Sequence, residues 1–189
     1  MRVPAAIALA LLVVGCAQHP ATPTKAEPTI LLQLQPLGNV EQSAIDQVRK
    51  TLSATFRFRV EVEEEQPLPR SAWYAPRSRW LATAILSQPR ASKTFYITSQ
   101  DISLPLRGKQ NWGVLGCTST NAIVSTFRLH RNLQLLHDVT IHEMGHLLGL
   151  PHCKNKHCVM QDFEGHVATI GDAHDFCPDC KAKMKTFLN

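Results

Sequence analysis

Residues 142–160 read HEMGHLLGLPHCKNKHCVM. His142 and His146 are four apart, so on a helix both imidazoles leave one face, close enough to share an ion. Glu143 follows the first of them, where its carboxylate can reach a water at that ion without coordinating the ion itself. Gly149 lets the backbone leave the helix in a conformation that other residues resist, and Leu150-Pro151 cannot easily continue it. His152 can then swing back as a third ligand. Three imidazoles leave the fourth position of a tetrahedral zinc open, which is the donor set of a catalytic site. An HExxH pair alone recurs by chance. The added glycine and third histidine make an incidentally histidine-rich surface helix the weaker reading.

Upstream, Leu133, Leu136, Val139, Thr140, Glu143 and Leu147 recur at helical spacing, which predicts one helix over 128–148, buried along one side and metal-binding along the next. Downstream, Cys153, Cys158, Cys177 and Cys180 form a quartet. A Cys-x-x-Cys pair at a helix start is a common zinc-knuckle geometry, so the spacing favours a second, structural zinc. Two disulfides of unspecified pairing are the alternative.

The chain has 189 residues, 44% of them hydrophobic, which suits one compact domain. Arg2 and the apolar run 5–14 form a leader too short to span a bilayer, ending in Val13-Val14-Gly15-Cys16. That ending looks like a bacterial lipobox, in which the chain is cut before a cysteine that is then acylated. The expected organisation is a signal peptide over 1–15, a tether over 16–28 and one catalytic domain over 29–189. Acylated Cys16 implies a lipid-anchored protein of the bacterial envelope. An oxidising envelope favours disulfides and so argues against the thiolate zinc site that the spacing favours. Losing Arg2 leaves 19 basic against 15 acidic side chains. With no block of like charge, this is a mildly basic surface and not a nucleic-acid site.

The remaining chain predicts a strand over 29–34, a helix capped at Asn39, and a half-buried strand over 56–62. The glutamates at 63–65 read as a solvated turn. A helical stripe through Trp80, Leu81, Ala84 and Ile85 follows, with Pro76 at its start, then a strand over 94–98 and irregular chain over 99–111. Two strands, 113–118 and 121–127, are joined by a tight turn. A last helix or two occupies 172–189. Cys117 reads as a small buried side chain. His137, His157, His166 and His174 lack ligand spacing and read as surface histidines, as Asp162, Glu164 and Asp175 read as surface or capping acids.

The string from His142 through Cys153, Cys158, Met160 and Phe176-Cys177-Pro178-Asp179-Cys180 resembles the archaemetzincins, the metzincin metallopeptidases with a cysteine quartet interleaved with the active site. The resemblance implies an α+β (α/β-like) metzincin fold. Its sheet would be mixed, five-stranded and mostly parallel with an antiparallel edge strand, and the active-site helix would be followed by a small cysteine-stapled C-terminal subdomain. It implies zinc-dependent hydrolysis of peptide bonds with Glu143 as general base, two Zn(2+) per chain, and Met160 as an apolar floor beneath the histidines. It makes Gly113, Val114, Leu115, Gly116, Cys117 and Thr118 a cleft-rim strand that binds extended peptide, and gives Asp101 a loop-ordering role. Partners are a peptide or protein substrate and the membrane, the chain being a monomer. A catalytically silent zinc-bearing binding module is the alternative, and a peptidase restricted to chain ends is a third reading.

Overall fold

The computed structural model describes residues 30–106, 109–113, 115–117, 120–162 and 173–188. Of the parallel strands β1 (Leu31–Leu37), β2 (Arg59–Val62), β5 (Thr94–Thr98) and β9 (Asn121–Ser125), β1, β5 and β9 carry short apolar runs, and β5 and β9 are buried at every residue. Such runs suit strands covered on both faces. They assemble in the order β2-β1-β5-β9, and β8 (Leu115–Cys117) closes the edge antiparallel to β9. The expected mostly parallel five-stranded sheet with an antiparallel edge is therefore present.

Alternation along the central strands divides two cores. Phe95, Ile97, Ala122 and Val124 face one side, where α1 (Gln42–Phe56) and α3 (Leu133–Leu147) pack. Tyr96 and Ile123 face the other, against α2 (Ala82–Leu86) and Ile102. In α1, Ala44, Ile45, Val48, Leu52 and Phe56 recur at helical spacing and are all buried. Each large apolar side chain so covered contributes about 1.5–3 kcal/mol.

Several local expectations are corrected. Asn39 does not cap α1. It sits at φ 55 in a turn with Gly38, and Glu41 is the N-cap. Glu65 is not merely solvated, because its carboxylate accepts the Val40 N–H at 2.9 Å. Phe56 ends α1, and Arg57 in the left-handed region turns the chain into β2. Trp80 and Leu81 belong to strand β4 (Arg79–Leu81), not to the helix that follows, and Pro76 lies in a 3-10 turn over Ala75–Arg77. The stretch 99–111 is not irregular. It holds most of a hairpin, β6 (Ile102–Leu106) and β7 (Lys109–Gly113), which joins β3 (Trp73–Tyr74) and β4 in a second sheet, β3-β4-β6-β7. Gly113 therefore ends β7 and is not part of the edge strand. The helix expected from residue 128 starts at Leu133, because His130 and Arg131 have positive φ and Asn132 caps the Leu135 N–H. The last helix is α4 (Pro178–Leu188).

Candidate metal centre and active site

Helix α3 carries His142 and His146 on one face, and the chain returns after Gly149, at φ 91, to bring His152 alongside. The ring centroids lie 4.6, 5.4 and 4.7 Å apart for the pairs 142–146, 142–152 and 146–152. One nitrogen from each ring falls within 4.8 Å of the other two. His142 Nδ1 lies 2.7 Å from the Val159 carbonyl, and His146 Nδ1 lies 2.8 Å from that of Leu150. A carbonyl only accepts, so both Nδ1 atoms donate and both Nε2 atoms present lone pairs. These two Nε2 atoms are 3.0 Å apart. Two lone pairs that close repel unless a proton or a cation lies between them. Desolvation keeps His142 neutral, lowering its pKa to about 4, and lowers that of His146 as well. The donor set thus fits zinc, which takes neutral imidazole and tolerates an open position.

Glu143 is 1% exposed, and its Oε1 has no hydrogen-bond partner among the described residues. That oxygen lies 3.8 Å from His142 Nε2. Burial alone raises the carboxyl pKa to about 8. An unsatisfied buried carboxylate oxygen costs on the order of 1–3 kcal/mol, and here it faces the histidine cluster. His152 and Asp162 are both exposed, with Nδ1 and Oδ2 3.6 Å apart, too far for a hydrogen bond.

Below the histidines, Met160 is fully buried. A methyl group at Gly145, between the two helical histidines, would run into Met160 Sδ and lie 3.2 Å from Phe176 Cε1. Glycine at 145 is therefore what lets the thioether approach. Val159, whose carbonyl orients His142, donates its own N–H to the Asp175 carbonyl at 2.9 Å.

The four cysteine sulfurs also lie within 4.8 Å of one another, and all four cysteines are free thiols. Cys153 and Cys177 Sγ are 3.9 Å apart, and the Cys177 N–H points at Cys158 Sγ at 3.3 Å. Burial pushes the thiols of Cys158 and Cys180 up. At Cys177 burial acts the same way, but hydrogen bonds from the Cys180 N–H and the neighbouring thiols outweigh it and bring that thiol down. Four sulfurs around one point, one of them already inclined to ionise, suit a tetrahedral zinc.

The other candidates separate. Gly116 and Cys117 lie in β8 opposite Ile123 and Ala122, and Leu115 lies opposite Val124. Val114, Thr118, His166, Glu164, the leader, Cys16 and the tether lie outside the described residues, as does the Cys117 side chain. His137 Nδ1 is 3.0 Å from Thr51 Oγ1, and exposed His157 makes its contact through the backbone. His174 is held by Asp138, a carboxylate 1% exposed, at 2.9 Å. Asp101 receives two bonds from Arg128, at 3.1 and 2.7 Å, and one from Arg79 at 2.9 Å. It ties the loop after β9 to β4, in keeping with a loop-ordering role. Sequence reasoning assigned no part to the Val159 carbonyl, Gly145 or the Asp138–His174 pair. Asp138, four residues before His142 on a helix of apolar spacing, was the one legible signal.

A helix with this donor set, packed beside the edge strand of a mainly parallel sheet, is the frame of a zinc metallopeptidase. The model of peptidase family M54 matches residues 92–186, and the chain belongs to that family, the archaemetzincins. Among curated proteins, the archaemetzincin of Haloarcula marismortui is 25% identical over 147 residues, covering 68% of this chain and 84% of that protein. That of Archaeoglobus fulgidus is 28% identical over 162 residues, covering 82% and 98%. The crystal structure of the Archaeoglobus fulgidus archaemetzincin superposes with a TM-score of 0.72 at 27% identity, over 82% of this chain and 99% of that one. The Methanopyrus kandleri structure, at 22% identity and TM-score 0.71 over 84% and 95%, shares the fold.

Proposed function

We propose that the chain hydrolyses peptide bonds at a zinc held by His142, His146 and His152, with Glu143 as general base. The observation that carries this is the pair of Nε2 lone pairs 3.0 Å apart, with a Glu143 oxygen that has no hydrogen-bond partner among the described residues 3.8 Å from one of them. Zinc, when bound, polarises a scissile carbonyl and acidifies water. The Val159 and Leu150 carbonyls fix two imidazoles in the tautomer whose Nε2 carries the ligating lone pair. Glu143 takes the proton of the attacking water as its oxygen bonds to the carbonyl carbon, and returns it to the amine as the C–N bond breaks. Burial of Glu143 keeps other donors from competing for it. Among the described strands β8 pairs with β9 alone, and its outer edge is the place where an extended peptide would add as a further strand.

The same reading assigns a second zinc to Cys153, Cys158, Cys177 and Cys180, supported by their convergence as free thiols. It keeps the protein on the bacterial envelope through acylated Cys16, supported by the sequence of residues 1–16. Replacement of Glu143 by Gln tests the mechanism: hydrolysis of a peptide library should fall by at least about 10²-fold while zinc content is retained. Unaltered hydrolysis would remove Glu143 from the reaction.

A further inference from the structure

The four parallel strands begin side by side. Leu31 of β1 registers with Arg59 of β2, and Gln33 with Thr94 of β5, which in turn registers with Asn121 of β9. The Arg59 N–H donates to the Ile30 carbonyl, and the Gln33 N–H to that of Lys93. The described chain enters the domain at this rim, since Ile30 directly precedes β1. Exposed cations are collected here. Arg57 follows α1, Arg59 opens β2, and Arg90 and Lys93 precede β5. The last two line a cleft of about 540 Å³ with Ser87, Gln88, Thr120 and Asn121.

Among the described residues, Arg90 is fixed by uncharged partners. Its Nε donates to Tyr96 Oη at 3.0 Å and its Nη2 to Gln35 Oε1 at 3.2 Å, both uncharged acceptors. Arg59 is partly offset by Glu61, 3.1 Å away. The acids Glu63, Glu64 and Glu65 leave β2 at the opposite rim, where the Glu63 N–H meets the Leu34 carbonyl. At that opposite rim the acids stand among Arg79, Arg128 and Arg131, which pair with Asp101 and Glu41, whereas the chain enters at the rim where Arg57, Arg59, Arg90 and Lys93 gather.

We propose that this basic rim, with the Arg90–Lys93 cleft at its centre, is a docking surface for anionic phospholipid headgroups. The proposal rests on the anchoring reading of Cys16. Thirteen residues separate Cys16 from Ile30, at most roughly 50 Å of extended chain. A lipid at Cys16 thus holds this rim within reach of the bilayer, at high local concentration. Each exposed cation at an anionic leaflet then adds to the attraction, and salt weakens it. The neutral acceptors beneath Arg90 aim its guanidinium without cancelling the charge a phosphate would meet.

The test uses the chain from residue 16 with Cys16→Ser, which carries no acyl group, sedimented with vesicles. Vesicles of equimolar phosphatidylcholine and phosphatidylglycerol should retain it, and phosphatidylcholine alone should not. The double change Arg90→Gln, Lys93→Gln should weaken retention roughly 25-fold, about five-fold per charge. Arg57→Gln, a surface change that disturbs no cleft contact, should weaken it roughly five-fold, and Arg131→Gln, at the opposite rim, should leave it unchanged. Equal binding to both vesicles, or equal losses from Arg57→Gln and Arg131→Gln, would overturn the proposal. Mass spectrometry of the wild-type protein from bacterial membranes separately tests acylation of Cys16, so failure of the anchor and failure of the docking face are told apart.

Discussion

His142 donates its Nδ1–H to the carbonyl of Val159, 2.7 Å away and 17 residues later in the chain. Val159 is flanked by Cys158 and Met160, and its N–H is held by Asp175, two residues before Cys177. The cysteine cluster therefore grips both sides of the peptide that orients the first histidine. Partners of this kind are worth 10- to 100-fold in metal affinity. Cys158→Ser should weaken zinc binding at the histidines by roughly 10-fold, read by competition with a chromogenic chelator. Unchanged affinity would show that the two clusters are independent.

Gly145→Ala adds one methyl group into the space held by Met160 and Phe176, both buried. Overpacking of this sort costs about 1–3 kcal/mol. The urea midpoint of the metal-free protein should fall accordingly without a change in slope. Pairing the change with Met160→Ala should recover part of the loss, because the collision is with that side chain.

Asp138 is buried with Gln134 at 3.0 Å and His174 at 2.9 Å, but the His174 side chain is 54% exposed. Water can take the place of an exposed partner, so His174→Ala should cost only about 1 kcal/mol. Asp138→Leu also removes the desolvation penalty, so it should cost no more than that. A much larger loss from His174→Ala, measured by urea unfolding, would show that this pair holds the C-terminal segment on α3.

Asp101 is 15% exposed and bonds two guanidiniums. Removing it brings Arg79 and Arg128 together without their shared carboxylate. Asp101→Ala should lose about 1.5–3 kcal/mol, more than an exposed pair would. Asp101→Ala, Arg128→Ala should be no less stable than Asp101→Ala alone, a coupling that a double-mutant cycle measures.

The histidine and cysteine spacings were legible because ligand geometry is written in side-chain identity, and β5 was legible at both ends from TFYIT. The second sheet was not. Pro105 and Gly108 read as breakers, yet Pro105 lies past the last β4 pair at Ser103, where β7 is its one strand neighbour among the described residues and its missing N–H disturbs little. Trp80 and Leu81 matched a helical stripe because their run is too short to distinguish the two periods. The Val159 carbonyl was out of reach, since a backbone acceptor leaves no trace in the identity of its residue. Asn39 misled for a related reason: the residue that suits an N-cap also suits a left-handed turn, which is how φ 55 places it.

Elemental analysis of the protein purified without chelator, with a free-thiol count before and after metal removal, reads both proposed metal sites at once. Two zincs per chain are expected, one at the histidines for hydrolysis and one in the cysteine cluster, with four thiols that become reactive only when metal is stripped. Failure to take up any zinc on reloading would overturn the catalytic site. A single zinc with the four cysteines oxidised would keep the peptidase and refute the second site.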